Sequence, residues 1–253
     1  MSERETYQPG VPCWVDNLVS DVDTARRFYG ELFGWEFDGP GPGDYYVAKV
    51  RGRDVAGVGQ APPGVEAGWN TYVSVASADD TASAADRVLV EPFDVLPAGR
   101  LAALGDPAGA IIGVWEPGQR LGCQLVNEAS AYAMSALHTP EPEAAARFYR
   151  DVFGWETEEF APGVSLFRLP GYIGGEPAQP VPRDVVAAMA KDEGPARWSV
   201  DFWVEDADGL AARAPELGGG VVVAPFDSIP TRQAVLADPF GAVFSVTTAP
   251  GPH

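Results

Sequence analysis

Cysteine, histidine and basic side chains are all scarce in this chain of 253 residues. Two cysteines, Cys13 and Cys123, cannot build a disulfide framework. Cys13, beside an aromatic on an expected strand, reads as a buried thiol. The only histidines are His138 and His253, so Ser-His-Asp chemistry has His138 alone to draw on. Seventeen Lys and Arg stand against thirty-six Asp and Glu, a formal net charge of −19. Binding nucleic acid needs a basic surface that displaces counterions from phosphate, so no such partner is expected. An anionic membrane surface is disfavoured for the same reason. No apolar run approaches the roughly 20 residues needed to span a bilayer. The polar start MSERETYQPG lacks the apolar centre of a signal peptide. A cytoplasmic protein, monomer or homodimer, is the expectation. Missing too are a G-x-G-x-x-G after a strand, a Walker A sequence and a G-x-S-x-G elbow, so neither a dinucleotide enzyme nor a standard hydrolase is supported.

What is present is turn chemistry and repetition. Gly 29 and Pro 24 are high counts, scattered without a fibrous period, and favour a strand-rich fold with many tight connections. Residues 23–36 read DTARRFYGELFGWE and residues 143–156 read EAAARFYRDVFGWE, with eight of fourteen positions identical. Trp69 is answered by Trp198, Pro92-Phe93-Asp94 by Pro225-Phe226-Asp227, and Asp106-Pro107-x-Gly109 by Asp238-Pro239-x-Gly241. The order is the same in both halves while the offset drifts from 120 to 133. This is one domain written twice, with insertions in the second copy. The expected domains are 9–118 and 127–248, joined around Gly118 to Asn127.

Each half reads as two strand–helix–strands units. In the first, Pro12–Val19 is extended and ends at Ser20-Asp21, the N-cap of a helix. Ala25, Phe28, Tyr29, Leu32 and Phe33 form its apolar stripe, and Gly34 closes it in the left-handed region. Strands follow at Tyr45–Val50, Asp54–Gly59 and Asn70–Val75. An Ala-rich helix is expected over Asp79–Val90, then strands near Phe93–Leu96, Leu101–Leu104 and Ala110–Trp115. In the second half, Thr139-Pro140 should cap a helix bearing Ala145, Phe148, Tyr149, Val152 and Phe153. A strand at Trp198–Val204, a helix near Ala207–Leu217 and strands at Val221–Ala224, Gln233–Ala237 and Ala242–Thr247 complete the repeat. The stretch Gly171–Arg183 reads as a loop, mobile or covering a ligand.

The extended PCWVDN, the helix ending RRFYGELFGW, the DPAGA strand and their repetition resemble the vicinal oxygen chelate superfamily of glyoxalase I, bleomycin-resistance proteins and extradiol dioxygenases. The tandem form is similar to that superfamily's glyoxalase-like hydroxylase-type members. The resemblance runs from about Pro9 to Thr248. It implies an α+β fold of two tandem domains, each of paired βαβββ modules whose curved sheets enclose a cup. It also implies a divalent metal there, held by His, His or Gln, and Glu at three inward positions. In this chain those positions hold Trp14 or Met134, Asn70 or Ser199, and Gly113 or Ser245. With two histidines in the whole chain, no slip of alignment restores a two-histidine site, so no metal and no other cofactor is expected.

Strand alternation then gives the lining of each cup. The first should present Trp14, Asp16, Asn70, Tyr72 and Trp115; the second Met134, Ala136, His138, Ser199, Asp201, Trp203 and Ser245. Aromatic walls with a few polar groups suit a flat, mostly apolar small molecule. Equally, Trp14 and Trp115 can plug the cup as core. The function expected is metal-independent binding, as in the bleomycin-resistance branch, of a hydrophobic or aromatic metabolite. The alternative is a metal-free tailoring enzyme, an isomerase, cyclase or oxygenase-like protein, with Asp16, Asp201 or His138 as general base. A third reading is a relic with filled cups.

Overall fold

The computed structural model describes residues 3–174, 182–228 and 231–248. Part of the expected loop Gly171–Arg183 (175–181) and His253 lie outside the described residues. Sixteen strands form two eight-stranded sheets of identical topology, with four helices among the described residues. In the first sheet the spatial order is β2 (Glu36–Gly41), β3 (Tyr45–Val50), β4 (Arg53–Gln60), β1 (Pro12–Val19), β5 (Gly68–Ser74), β8 (Ile111–Pro117), β7 (Gly99–Gly105) and β6 (Val88–Val95). The second repeats it as β10 (Glu156–Ala161), β11 (Val164–Arg168), β12 (Val185–Lys191), β9 (Ala131–Thr139), β13 (Arg197–Val204), β16 (Val243–Thr248), β15 (Thr231–Ala237) and β14 (Gly220–Ser228). Each sheet is built within one half, so each cup is too. The fold is α+β, as the resemblance implied.

Helix α1 (Val22–Phe33) begins where Asp21 accepts a hydrogen bond from the Thr24 amide at 3.1 Å and ends at Gly34, φ 71°. Its first-turn amides have no helical partner, and the Asp21 side chain satisfies one of them. Helix α3 (Pro142–Phe153) starts differently from expectation. Its N-cap is Glu141, which makes no side-chain cap bond, and Pro142 occupies the first turn, where a missing N–H costs nothing. Thr139 instead accepts from the Glu141 amide at 3.2 Å.

The expected helix over Asp79–Val90 is also corrected. Helix α2 covers only Ala78–Ser83, and Val88–Val95 is strand. The β-branched Val88 and Val90 suit a pleated surface better than a helix, and pairing with β7 outweighs the helix preference of Leu89 and the alanines. Strands β2 and β10 were not anticipated. They carry few buried side chains, so neither shows an apolar alternation to read.

The core is where the repeated motif finds its purpose. Phe28, Tyr29 and Phe33 of α1, with Trp35 and Trp69, pack into one cluster with Phe202, Phe244 and Val246 from the back of the second sheet. Tyr149, Phe153, Trp155 and Trp198 join Val73, Ile112 and Val114 from the back of the first. Each signature helix thus packs against both halves. Polar pins complete the junction. Asp238 Oδ2 accepts from Tyr29 Oη at 3.0 Å and Asn17 Nδ2 at 2.8 Å, while its Oδ1 accepts the Phe240 and Ala242 amides. On the other side Asp106 Oδ1 holds the Gly109 and Ala110 amides and its Oδ2 faces Tyr149 Oη at 3.4 Å. The D-P-x-G turn of each half therefore anchors the Tyr of the other half's helix.

Candidate functional site: two unequal cups

Alternation along β13 separates buried Trp198, Val200, Phe202 and Val204 on the helix side from Arg197, Ser199, Asp201 and Trp203 on the cup side. The same parity holds in β1, with Val15 and Val19 behind and Trp14, Asp16 and Leu18 in the cup. Helices cover the backs, leaving the concave faces for whatever the side chains there allow.

In the first cup they allow little. Asp16 pairs across the ladder with Asn70, Trp14 with Tyr72, and Tyr72 with Gly113. Asp16 Oδ1 accepts from Asn70 Nδ2 at 2.9 Å and Tyr72 Oη at 3.2 Å, and Oδ2 accepts from Tyr45 Oη at 3.1 Å. Trp14 Nε1 donates to Tyr45 Oη at 2.7 Å. Trp115 Nε1 donates to the Arg120 carbonyl at 2.8 Å, and the Arg120 guanidinium lies 5.6 Å from the Trp14 ring centre. The result is a closed aromatic and polar knot: Trp14, Asp16, Tyr72 and Trp115 are only 7, 4, 9 and 8% exposed. The rings have room because small residues face them. A Cβ at Gly57 would overlap the Tyr45 hydroxyl, and one at Gly113 the Tyr72 ring. Burial pushes the Asp16 carboxyl up to about 6, with its three donors opposing the shift.

The second cup has the same backbone and different contents. Ladder neighbours there are Ser245, Asp201 and Met134, then Ser199, Ala136 and Ala188, then Arg197, His138 and Ala190. Tyr72 is replaced by Asp201, Trp14 by Met134, Trp115 by Thr247, and Asp16 by Ala136. Met134, Ala136, His138, Ser199, Asp201 and Ser245 all remain partly exposed, so solvent reaches this floor. Trp203 is buried on the same face one step beyond Asp201. Asp201 Oδ1 accepts from Thr247 Oγ1 at 2.7 Å, and among the described residues nothing donates to its Oδ2. Burial raises the Asp201 carboxyl to about 7, further than Asp16, because one donor opposes the shift instead of three.

His138 is not beside Asp201. Its Nε2 lies 3.0 Å from Ser199 Oγ, which also sits 3.3 Å from the Ala136 carbonyl. Its Nδ1 is 3.8 Å from Asp192 Oδ2, which Arg197 holds at 2.9 Å. Burial and then Arg197 push the imidazole below its ordinary value, against the pull of Asp192, so it is neutral at pH 7. Arg27 and Arg147 are exposed on their helices, away from both cups.

Tyr45 and Thr247 were missed at the level of sequence. Thr247 was within reach: it lies two residues beyond Ser245 on one strand, where Trp115 lies beyond Gly113. Tyr45 had a fainter signal in the glycines at 57 and 59, which only pairing brings opposite it. Two cavities, of about 50 and 440 Å³, lie outside both cups, one against Tyr7, Val11, Tyr132 and Val186, the other an open trough along Arg51, Arg53 and Glu128. Among the described residues no three His, Cys, Asp or Glu side chains converge as a metal ion would need, and no helix is long and apolar enough to cross a membrane.

A family model described as a glyoxalase-like domain matches residues 134–247. The glyoxylase candidate CFP32 of Mycobacterium tuberculosis is 37% identical over 265 residues, covering 97% of both chains. The anthracycline biosynthesis protein DnrV of Streptomyces peucetius is 32% identical over 263 residues, covering 95% of this chain and 94% of its own. Among solved structures, the Mn(II)-bound glyoxalase of Novosphingobium aromaticivorans superposes with a TM-score of 0.66 at 16% identity, over 96% of this chain and 83% of that one. The 2,3-dioxygenase LapB of Pseudomonas sp. KL28 gives 0.67 at 13% identity, over 98% and 95%. At such identities these two share the fold alone with this chain.

Proposed function

The chain belongs to the glyoxalase-like family of the vicinal oxygen chelate superfamily, and on that premise we propose that it binds a hydrophobic or aromatic metabolite in a cup without a metal, sequestering or presenting it as bleomycin-resistance proteins do. The observation that carries this reading is the second cup: a solvent-reached floor of small side chains around one carboxyl with an unused oxygen. Apolar walls would supply affinity at about 25 cal/mol per Å² before ordering costs. The polar groups would supply discrimination. A relative whose name places it in anthracycline biosynthesis supports a fused aromatic ligand.

The superfamily's metal does not fit the residues present. Trp14, Asn70 and Gly113 stand at its corners in one half, and Met134, Ser199 and Ser245 in the other. None of these is a usual ligand for zinc, iron or nickel, and the nearest carboxylate in the first cup already takes three hydrogen bonds. Calorimetric titration of the purified protein with 1,4-dihydroxyanthraquinone tests the reading. Binding should be unchanged by EDTA. A stoichiometric bound metal whose removal abolishes binding would overturn it.

A second reading has its own support. A carboxyl held near neutrality is what a general base needs, so Asp201 could take a proton from an acidic C–H or phenol in a metal-free tailoring reaction. Recovery of chemically altered ligand, lost in Asp201→Asn, would favour it over simple binding.

A further inference from the structure

The two cups share a scaffold but not their contents, and that difference restricts what the chain can hold. In the first cup every polar atom of the Asp16 carboxylate is already engaged, and Trp14, Tyr45, Tyr72 and Trp115 occupy the space a ligand would need. In the second, the Trp14, Tyr72 and Trp115 positions carry Met134, Asp201 and Thr247. Asp201 keeps one oxygen satisfied by Thr247 and offers the other to the cup.

Above pH 7 the Asp201 carboxyl is ionised and its free oxygen accepts only, so there the occupant must bring a proton donor. An ammonium would bring three and draw on both nearby serines, Ser245 on the next strand and Ser199 on the same one, leaving neither for the rest of the ligand, since Met134 and Trp203 cannot accept. A hydroxyl brings one. Ser199 stands two residues before Asp201 on the same face, about 7 Å away by strand geometry. Its Oγ makes only a 3.3 Å contact with the Ala136 carbonyl and is backed by His138 Nε2 at 3.0 Å, so it can turn to a second ligand oxygen.

Resting on the binding role proposed above, we infer that the protein takes one ligand per chain, in the second cup only, and that this ligand is a flat aromatic with a phenolic or enolic hydroxyl for Asp201 Oδ2 and a second oxygen for Ser199, one step of about 7 Å along the same strand face. The first cup is a solid counterpart that contributes packing.

Equilibrium dialysis at pH 8, where Asp201 is ionised, with 1,4-dihydroxyanthraquinone and with unsubstituted anthraquinone tests this on the full chain. The expected stoichiometry is one, with the hydroxylated compound preferred by about tenfold or more, the range of one hydrogen bond to a charged group. Asp201→Asn turns an amide donor toward the ligand and should remove that preference while leaving the parent quinone's binding within about threefold. Met134→Trp builds into the second cup what Trp14 is in the first and should abolish binding of both. Thermal melts of each variant establish that it is folded, and the stoichiometry is read on the unaltered protein. Two ligands per chain, a preference that survives Asp201→Asn, or binding that survives Met134→Trp in a folded variant would each overturn the inference and leave the binding role standing. Failure of both quinones to bind the unaltered protein would overturn both.

Discussion

Asp201 and Asp16 show how one residue type is tuned by its immediate partners. Both are held above the ordinary carboxyl range by burial, to about 7 and about 6. A carboxyl whose folded value exceeds its unfolded value binds extra protons in the folded state. Its contribution is therefore complete below pH 4 and is lost as pH climbs toward the folded value. Asp201→Asn should accordingly melt at a higher temperature than the parent at pH 8, and the advantage should vanish near pH 4. Its size is on the order of 2–4 kcal/mol, and melting curves across that range measure it. The two thiols follow similar logic. Burial pushes Cys13 and Cys123 up, and neither is exposed. A thiolate-specific reagent at pH 8 should label neither until denaturant is added.

Among the elements, the strands that line the first cup depend on glycine where a ring crosses a neighbour. Gly113→Ala places a methyl in the Tyr72 ring, and Gly57→Ala one against the Tyr45 hydroxyl. Overfilling a packed site should cost about 1–3 kcal/mol for each, read as a lower urea midpoint at constant slope. Such pairings mark the limit of what the sequence discloses. The helix motif, its repeat, Gly34 and the central strands were legible because periodicity and caps are local. The α2–β6 segment was not, since alanine content argues for helix while the decisive pairing with β7 is long-range. Likewise the inward residues Asp16, Tyr72 and Asp201 followed from alternation once the resemblance had set Trp14, Asn70 and Ser199 as inward positions. That Asp16 is sealed and Asp201 open depended on Tyr45, a residue from another strand with no motif to announce it.

Across the molecule, the motif that revealed the duplication serves the junction between the halves more directly than either cup. Tyr29 answers to Asp238 and Tyr149 to Asp106, each across the divide. Tyr29→Phe leaves Asn17, Trp69 and Asp238 short of a shared partner and should cost about 1–3 kcal/mol. In a double-mutant cycle with Asp238→Asn, the combined loss should fall short of the sum by at least about 0.5 kcal/mol; strict additivity would mean the pin is idle.

A symmetric pair of separate subunits would have to accept every substitution twice, once in each copy of the pocket. Tethering the copies on one polypeptide lifts that rule. One hollow can be ballast while its twin differs, so it is the single polypeptide, not the seam, that lets the two bowls differ.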